Sequence, residues 1–289
     1  MKYEGALYRP PSEAHSLIIQ VTIGCTHNKC SFCPMYKEKR FRMRSFEEVY
    51  ADLLECRAYY SRVSRIFFAD GDAFAMKTDK LLKLLNAVQE IFPECERVSV
   101  YGRATEILKK SGEELRALKA AGLGIVYVGA ESGSEEVLLS VNKGEKPEDI
   151  VEAVQKAEAL GIKCSVTFIS GLGGKTLTHE HALKTAEMIN KMGASFVGLL
   201  TLMLAPGTPM FDDVEAGRFL PLDEKGVLVE LEQILENTNC VTPTVLRSNH
   251  VSNRLVLRGT LPQDKEAMLA QVKQALKAAP SGQIEYRGL

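Results

Sequence analysis

Three of the chain's seven cysteines fall within nine residues, in the stretch Thr22-Ile23-Gly24-Cys25-Thr26-His27-Asn28-Lys29-Cys30-Ser31-Phe32-Cys33-Pro34. A tight loop with this Cys-x4-Cys-x2-Cys spacing can aim Cys25, Cys30 and Cys33 at one metal centre. A cubane iron–sulfur cluster usually takes four cysteine thiolates. Three supplied locally, with no obvious fourth, leave one iron open for chemistry. Two other readings stand beside this one. Cys25, Cys30 and Cys33 with His27 would make a Cys3His zinc site, an accepted structural set. Alternatively, the three are unrelated thiols of a reducing compartment. The position after a first strand, and not between two ribbons, favours the cluster.

Further polar or glycine-rich turns recur along the chain. Asp70-Gly71-Asp72 offers carboxylates and open carbonyls that suit an ammonium donor, although the same triplet also serves as a plain turn. Gly102-Arg103 puts a guanidinium after another strand, able to pair with a carboxylate or with a surface acid. Glu131-Ser132-Gly133 places an acid just before Ser134, where a helix dipole favours it. Around Ile169, the segment Gly171-Leu172-Gly173-Gly174 either lets backbone pass close to a flat ligand or simply turns from strand to helix. Gly174-Lys175-Thr176 is not a phosphate loop, because that motif needs a glycine five positions earlier, where Ile169 stands.

These turns need elements to hold them, and the hydropathy pattern supplies six strands. Apolar runs at Leu17–Val21, Ser64–Ala69, Val98–Tyr101, Gly124–Gly129, Lys163–Ile169 and Ser195–Leu202 read as strands. Between them lie helical patterns. Ser45 and Glu48 form a capping-box signature before Phe46, Val49, Tyr50, Leu53 and Leu54. Thr78 opens a helix with Leu81, Leu82, Leu85 and Val88 on one face, and others follow near 113–121, 150–157 and 178–191. Strand–helix alternation indicates parallel β/α units wound in one sense. The cysteines and the acidic and glycine turns then share the rim at the strands' C-terminal ends, where barrels of this type carry chemistry.

The 289 residues allow one large domain or a barrel with an appendage. A formal net charge of −1 gives no global basic field to recruit nucleic acid. No apolar run approaches a membrane span, and Met1–Ser16 has no apolar signal region. Cys56, Cys95, Cys164 and Cys240 stand singly, which gives neither a disulfide framework nor a second metal loop. The expectation is a cytoplasmic, reducing setting. Residues 1–14 read as an extended lead-in, 15–213 as the β/α body, and 214–289 as a helical extension. Its helices are expected at Asp223–Glu236 and Gln263–Ala279. Between them Arg247, Asn249, His250 and Asn253 belong to a donor-rich run, read either as substrate ligands or as a network docking the tail.

The cysteine loop after a first strand, with Phe32 just before the last cysteine, resembles the radical S-adenosylmethionine (SAM) superfamily. The usual first gap there is three residues, and here it is four. Asp70-Gly71-Asp72 resembles that superfamily's turn for the SAM amino group, with Gly71 and Asp72 as its contacts. Glu131-Ser132-Gly133, followed by Asn142-Lys143-Gly144, resembles Elongator-type and coproporphyrinogen-dehydrogenase-like members. The resemblance covers residues 15–210. It implies a partial (β/α)6 TIM-type barrel, α/β in class; the helical extension that follows strand six is expected to cover its open mouth. It implies a 4Fe-4S cluster on Cys25, Cys30 and Cys33, and SAM held by Gly71, Asp72, Arg103, Glu131, Ser132, Ile169 and Gly171. It also implies a one-electron donor of flavodoxin or ferredoxin type. A small polar substrate is favoured over an RNA-modifying role; a noncatalytic zinc barrel is the reading from a different class.

Overall fold

The computed structural model describes residues 3–279. The chain opens with β1 (Leu17–Gln20), β2 (Thr22–Ile23), β3 (Arg42–Met43) and α1 (Phe46–Tyr59), followed by β4 (Arg65–Ala69), α2 (Thr78–Ile91) and β5 (Arg97–Tyr101). Next come α3 (Ala104–Lys109), α4 (Gly112–Ala120), β6 (Leu123–Glu131), α5 (Glu135–Ser140), α6 (Pro147–Ala159), β7 (Lys163–Ser170), α7 (Gly174–Met192) and β8 (Phe196–Thr201). The described residues end with α8 (Pro209–Glu215), α9 (Glu224–Asn237), β9 (Thr244–Arg247), β10 (Arg258–Leu261) and α10 (Lys265–Ala278). All six expected strands are present, within a mostly parallel sheet of eight.

The chain divides into two compact units: 1–28, 35–128 and 156–164 in one, and 29–34, 129–155 and 165–289 in the other. In the first unit β1, β4, β5 and the start of β6 pair in parallel, with Leu17 beside Ile66, Ile66 beside Val98, and Ser99 beside Ile125. Their near-continuous apolar runs are what a parallel sheet covered on both faces demands. Ile19, Phe67, Phe68, Val98 and Val100 are fully buried. Helix α1 starts where the sequence signals it. The Ser45 side chain accepts the Glu48 N–H while the Glu48 carboxylate accepts the Ser45 N–H. The buried stripe of α2 runs through Leu81, Leu84, Leu85 and Val88. Leu84, and not Leu82, completes it, because a 3.6-residue period places 81, 84, 85 and 88 on one face.

In the second unit β7 and β8 pair in parallel, β9 joins β8 in parallel, and β10 runs antiparallel to β9. Helix α7 packs on α9, and α9 on α10. The tail was expected to be helical; it carries the two strands β9 and β10 as well as α9 and α10. Each strand is only four residues long, too short for alternation to stand out beside the polar run that follows. Residues 280–289 of the expected extension lie outside the described residues.

Candidate active site

In the first unit the start of the cysteine loop is held by two buried carboxylates at the end of β4. The Asp70 Oδ2 accepts from the Gly24 N–H at 3.1 Å, from Gln20 Nε2 at 3.0 Å and from Lys39 Nζ at 2.9 Å. Asp72 accepts the Thr26 hydroxyl on one oxygen and the Arg103 N–H at 3.4 Å on the other. Asp72 is fully buried. Desolvation pushes its pKa up to about 6, against the lowering effect of the Thr26 bond. Gly71 lies under the Tyr36 ring, where a Cβ would come within 2.4 Å of the ring edge. Only glycine fits there, and its N–H donates to the Gly24 carbonyl at 3.1 Å. The Asp-Gly-Asp triplet thus fixes the loop around Gly24, Cys25 and Thr26. Half-buried Arg103 caps α3 beside it.

The end of the cysteine loop belongs to the second unit. The Ser31 N–H donates to the Val141 carbonyl at 2.9 Å, and the Met210 N–H donates to the Ser31 carbonyl at 3.1 Å. Phe32 packs on an apolar cluster containing Val137, Val141, Ile169, Leu172, Leu204 and Met210. The aromatic before the last cysteine is therefore the loop's apolar anchor. Ile169, expected among the cofactor contacts, lies in the same cluster.

Lys143 follows directly. Its ammonium stands 3.0 Å from Glu131 and 3.7 Å from Glu145, with its side chain 9% exposed. Burial opposes its charge, but the Glu131 and Glu145 carboxylates and the field of Cys30 hold its pKa above the ordinary lysine range. A buried cation in the field of Cys30 is complementary to a thiolate or to an anionic cluster. Glu131 has φ +66°, in the left-handed region that non-glycine residues rarely occupy. Its carboxylate folds over Gly129, where a Cβ would fall 2.1 Å from Glu131 Oε1. The resemblance implies that Glu131 contacts SAM; the structure gives it Lys143, from the Asn142-Lys143-Gly144 run, as an ion-pair partner.

Ser132 is fully buried. Its Oγ lies 2.8 Å from His181 Nδ1 and accepts the Ser134 N–H at 3.0 Å. Gly133 lets α7 approach, because a Cβ there would stand 2.1 Å from the Lys184 carbonyl oxygen. On the far side of the imidazole, His181 Nε2 has no hydrogen-bond partner and stands 3.6 Å from Glu230 Oε1. Glu230 accepts the Gly171 N–H at 2.7 Å and the Thr178 hydroxyl at 2.6 Å. Gly171, with φ +85°, thus spends its amide on Glu230 and contributes to the turn through shape. Desolvation drops the His181 pKa to about 4 and lifts that of Glu230 to about 7. Glu230 is the one acid in the stripe Val227, Leu231, Ile234 of α9, and that break in an apolar face was the signal available in the sequence.

Asn253 and His250 occupy the turn after β9. Asn253 Nδ2 donates to the Leu199 carbonyl at 2.7 Å and the Ser248 carbonyl at 3.0 Å, while its oxygen accepts the Thr201 hydroxyl at 2.8 Å. His250 Nδ1 lies 2.8 Å from the Ser252 Oγ. The Asn253 contacts to Leu199 and Thr201 dock the turn on β8. Asn249 is exposed and Arg247 half-buried.

The cysteines separate cleanly. Cys25, Cys30 and Cys33 are partly exposed, whereas Cys56, Cys95, Cys164 and Cys240 are buried, and desolvation holds each of those four thiols protonated. Among the described residues no three His, Cys, Asp or Glu side chains converge as a closed metal cage. The donor set fits three-thiolate binding of an iron–sulfur cluster, with no competing cysteine available. The sequence profile of the Radical SAM superfamily matches residues 19–203, more than half of the chain. The chain belongs to the radical SAM superfamily. Members of this superfamily bind a 4Fe-4S cluster and SAM.

The heme chaperone HemW of Bacillus subtilis is 24% identical over 163 residues, which is 55% of this chain and 42% of that protein. The chain thus spans less than half the length of this curated relative. Among solved structures, the Elp3 protein of the archaeon Methanocaldococcus infernus has a TM-score of 0.55 at 15% identity, covering 92% of this chain and 64% of that one. The methyltransferase TsrM of Kitasatospora setae, solved with cobalamin and a [4Fe-4S] cluster bound, has a TM-score of 0.54 at 24% identity. That match covers 68% of this chain and 38% of that one. These likenesses show the fold, an α/β sheet of the radical SAM partial-barrel type. No helix among the described residues is long and apolar enough to cross a membrane.

Proposed function

We propose that this radical SAM protein cleaves SAM reductively, on a 4Fe-4S cluster held by Cys25, Cys30 and Cys33, to start hydrogen abstraction from a small polar substrate. The partition of thiols carries the reading: three partly exposed on one anchored loop, four buried and protonated. When bound at these thiolates, the cluster would supply the one electron needed for reductive cleavage of SAM and so the radical chemistry that removes a hydrogen atom from the substrate.

The chain's own residues have positioning tasks. Asp70 and Asp72 fix the loop around Cys25 through Gly24 and Thr26. The Ser31 bonds and the Phe32 packing fix the end that carries Cys30 and Cys33. Lys143 offsets negative charge near Cys30 while restraining Glu131. The Gly71 turn, Arg103 and Glu131 are the polar groups for SAM, and Ile169 with the Gly171 turn offers an apolar, close-approach surface. Ser132 is a positioning residue that joins the Glu131 turn to α7 through His181. A flavodoxin- or ferredoxin-type protein delivers the electron in this scheme, and the site operates away from membranes.

The test is anaerobic reconstitution of two multiple variants. Replacing Cys25, Cys30 and Cys33 with alanine should abolish iron–sulfur absorbance and dithionite-dependent release of 5′-deoxyadenosine. Replacing Cys56, Cys95, Cys164 and Cys240 together should retain iron. Loss of iron only in the second variant overturns the assignment, and a colourless, zinc-loaded wild type would favour the noncatalytic barrel.

A further inference from the structure

The strand register of the second unit brings Thr167, Gly198, Arg247 and Arg258 into one row across β7, β8, β9 and β10. Cross-strand neighbours at one register position share a face. The opposite face is settled by Gly259, one residue after Arg258, where a Cβ would meet Asp264 at 2.8 Å and Met268 of α10 at 3.1 Å. Helix α10 therefore covers the Leu246–Gly259 side, and the two arginines point away from it. Two residues further along β7 and β8 on the arginine face stand Ile169 and Leu200, which pack in the cluster that receives Phe32. Two residues of strand span about 7 Å. The arginine row thus lies one pleat repeat from the apolar anchor of the cysteine loop.

Packing does not account for the pair. Like charges directly opposite on antiparallel strands repel. Among the described residues neither guanidinium has an ion-pair partner, and the Arg247 Nε is buried with no hydrogen bond at all. Gly198 beside Arg247 leaves the row open, since the nearest atom to a Cβ there would be Thr167 Oγ1 at 3.7 Å. The result is a row of two cations and a hydroxyl with no counter-charge among the described residues.

We propose that Arg247 and Arg258, with Thr167, bind an oxyanion of the substrate, a carboxylate or a phosphate group. Guanidinium forks match both groups bidentately, and a hydroxyl supplies a third bond. This deepens the function proposed above and rests on it: an anion anchored here would lay the rest of a small substrate toward the Ile169–Phe32 cluster and the cysteine loop. Half-buried Arg247 is the specificity-determining member, and exposed Arg258 the one that draws the anion in.

The test measures thermal midpoints of the full, anaerobically reconstituted chain in inorganic phosphate, in malonate and in chloride at matched ionic strength. A site occupied at tenfold excess over its Kd raises Tm by roughly 3–6 °C. Phosphate acting alone identifies a phosphorylated substrate, malonate alone a carboxylate, and either response supports the site. Arg247→Met keeps the apolar stem and should weaken the responding anion at least tenfold, with Arg258→Gln weakening it less. Without anion, Arg247→Met should melt at or above wild type, because it removes an unpaired charge and a like-charge contact. A variant several degrees less stable without anion makes Arg247 structural and overturns the proposal. So does a wild type that responds to neither anion, or a response that survives in both variants. Wild-type release of 5′-deoxyadenosine in chloride reports the SAM reaction separately, so failure of the anion site and failure of the enzymatic reading are distinguishable.

Discussion

Replacing either member of the His181–Glu230 pair should give the protein a pH dependence that the intact pair conceals. Both side chains are essentially inaccessible. Glu230 moves from 4.5 to about 7 on folding. Its raised value means that the folded state keeps a proton the unfolded chain loses, so its contribution to stability falls as pH rises from 4.5 to 7. A shift of about 2.5 pH units corresponds to about 3 kcal/mol. His181 moves from 6.5 to about 4. Its folded state refuses a proton the unfolded chain binds, so its contribution rises by a similar ~3 kcal/mol as pH rises from 4 to 6.5. The two slopes oppose each other across nearly the same window and cancel in the wild type. Glu230→Gln should leave the histidine slope uncompensated, becoming more stable relative to wild type as pH rises from 4 to 6.5. His181→Gln should do the reverse between 4.5 and 7. Differential scanning calorimetry, read as variant minus wild type, removes common contributions such as that of Asp72. For a chain of this size ~3 kcal/mol is roughly 6–12 °C in Tm. Variants whose differences slope the same way, or stay flat, would refute the neutral pair and favour a buried imidazolium–carboxylate in its place.

Lys143→Met should lower stability by about 3–5 kcal/mol at pH 7, because Glu131 and Glu145 would be left buried without a counter-charge; calorimetry beside iron content separates this from cluster loss. Asp72→Asn should stabilise the cluster-free fold above pH 6, since the raised Asp72 pKa makes its charged form unfavourable there, while SAM affinity measured by equilibrium dialysis on the loaded protein should fall. Asn28→Ala should cost roughly 1–2 kcal/mol through its left-handed backbone, and Asn28→Gly less, with cluster content following the same order.

The strands and the cysteine loop were legible because each has a local signature: apolar runs of strand length, a capping box, three thiols in nine residues. What stayed hidden was pairwise. Nothing near Ser132 announces His181, 49 positions away, as its partner. Lys143 reads as an ordinary turn lysine until the left-handed Glu131 brings a carboxylate to it. The strands β9 and β10 fall below the length at which a two-residue period stands out, so Arg247 looked like part of a polar run and nothing linked it to Arg258; strand register made them neighbours. Polar side chains near a site divide into those that face a ligand and those that hold the scaffold, and composition is the same for both. Asn253 shows the second case: its amide bonds the Leu199 carbonyl and the Thr201 hydroxyl of β8 and the Ser248 carbonyl of its own turn.

The long first gap of the cysteine motif has a local explanation. Four residues separate Cys25 from Cys30, and the third of them, Asn28, has φ +46°. A left-handed residue reverses the chain sharply, and asparagine adopts that region more readily than most because its short amide bonds nearby backbone. Here the amide donates to the Tyr36 carbonyl at 2.6 Å and to that of Lys39 at 3.4 Å. Tyr36 is the residue whose ring covers Gly71, and Lys39 is the residue whose ammonium reaches Asp70. The added residue is thus stitched to the same Asp-Gly-Asp turn that orders Gly24 and Thr26. A four-residue gap then lengthens the loop without loosening it, because the position that folds the excess chain back is also the one tied to its support.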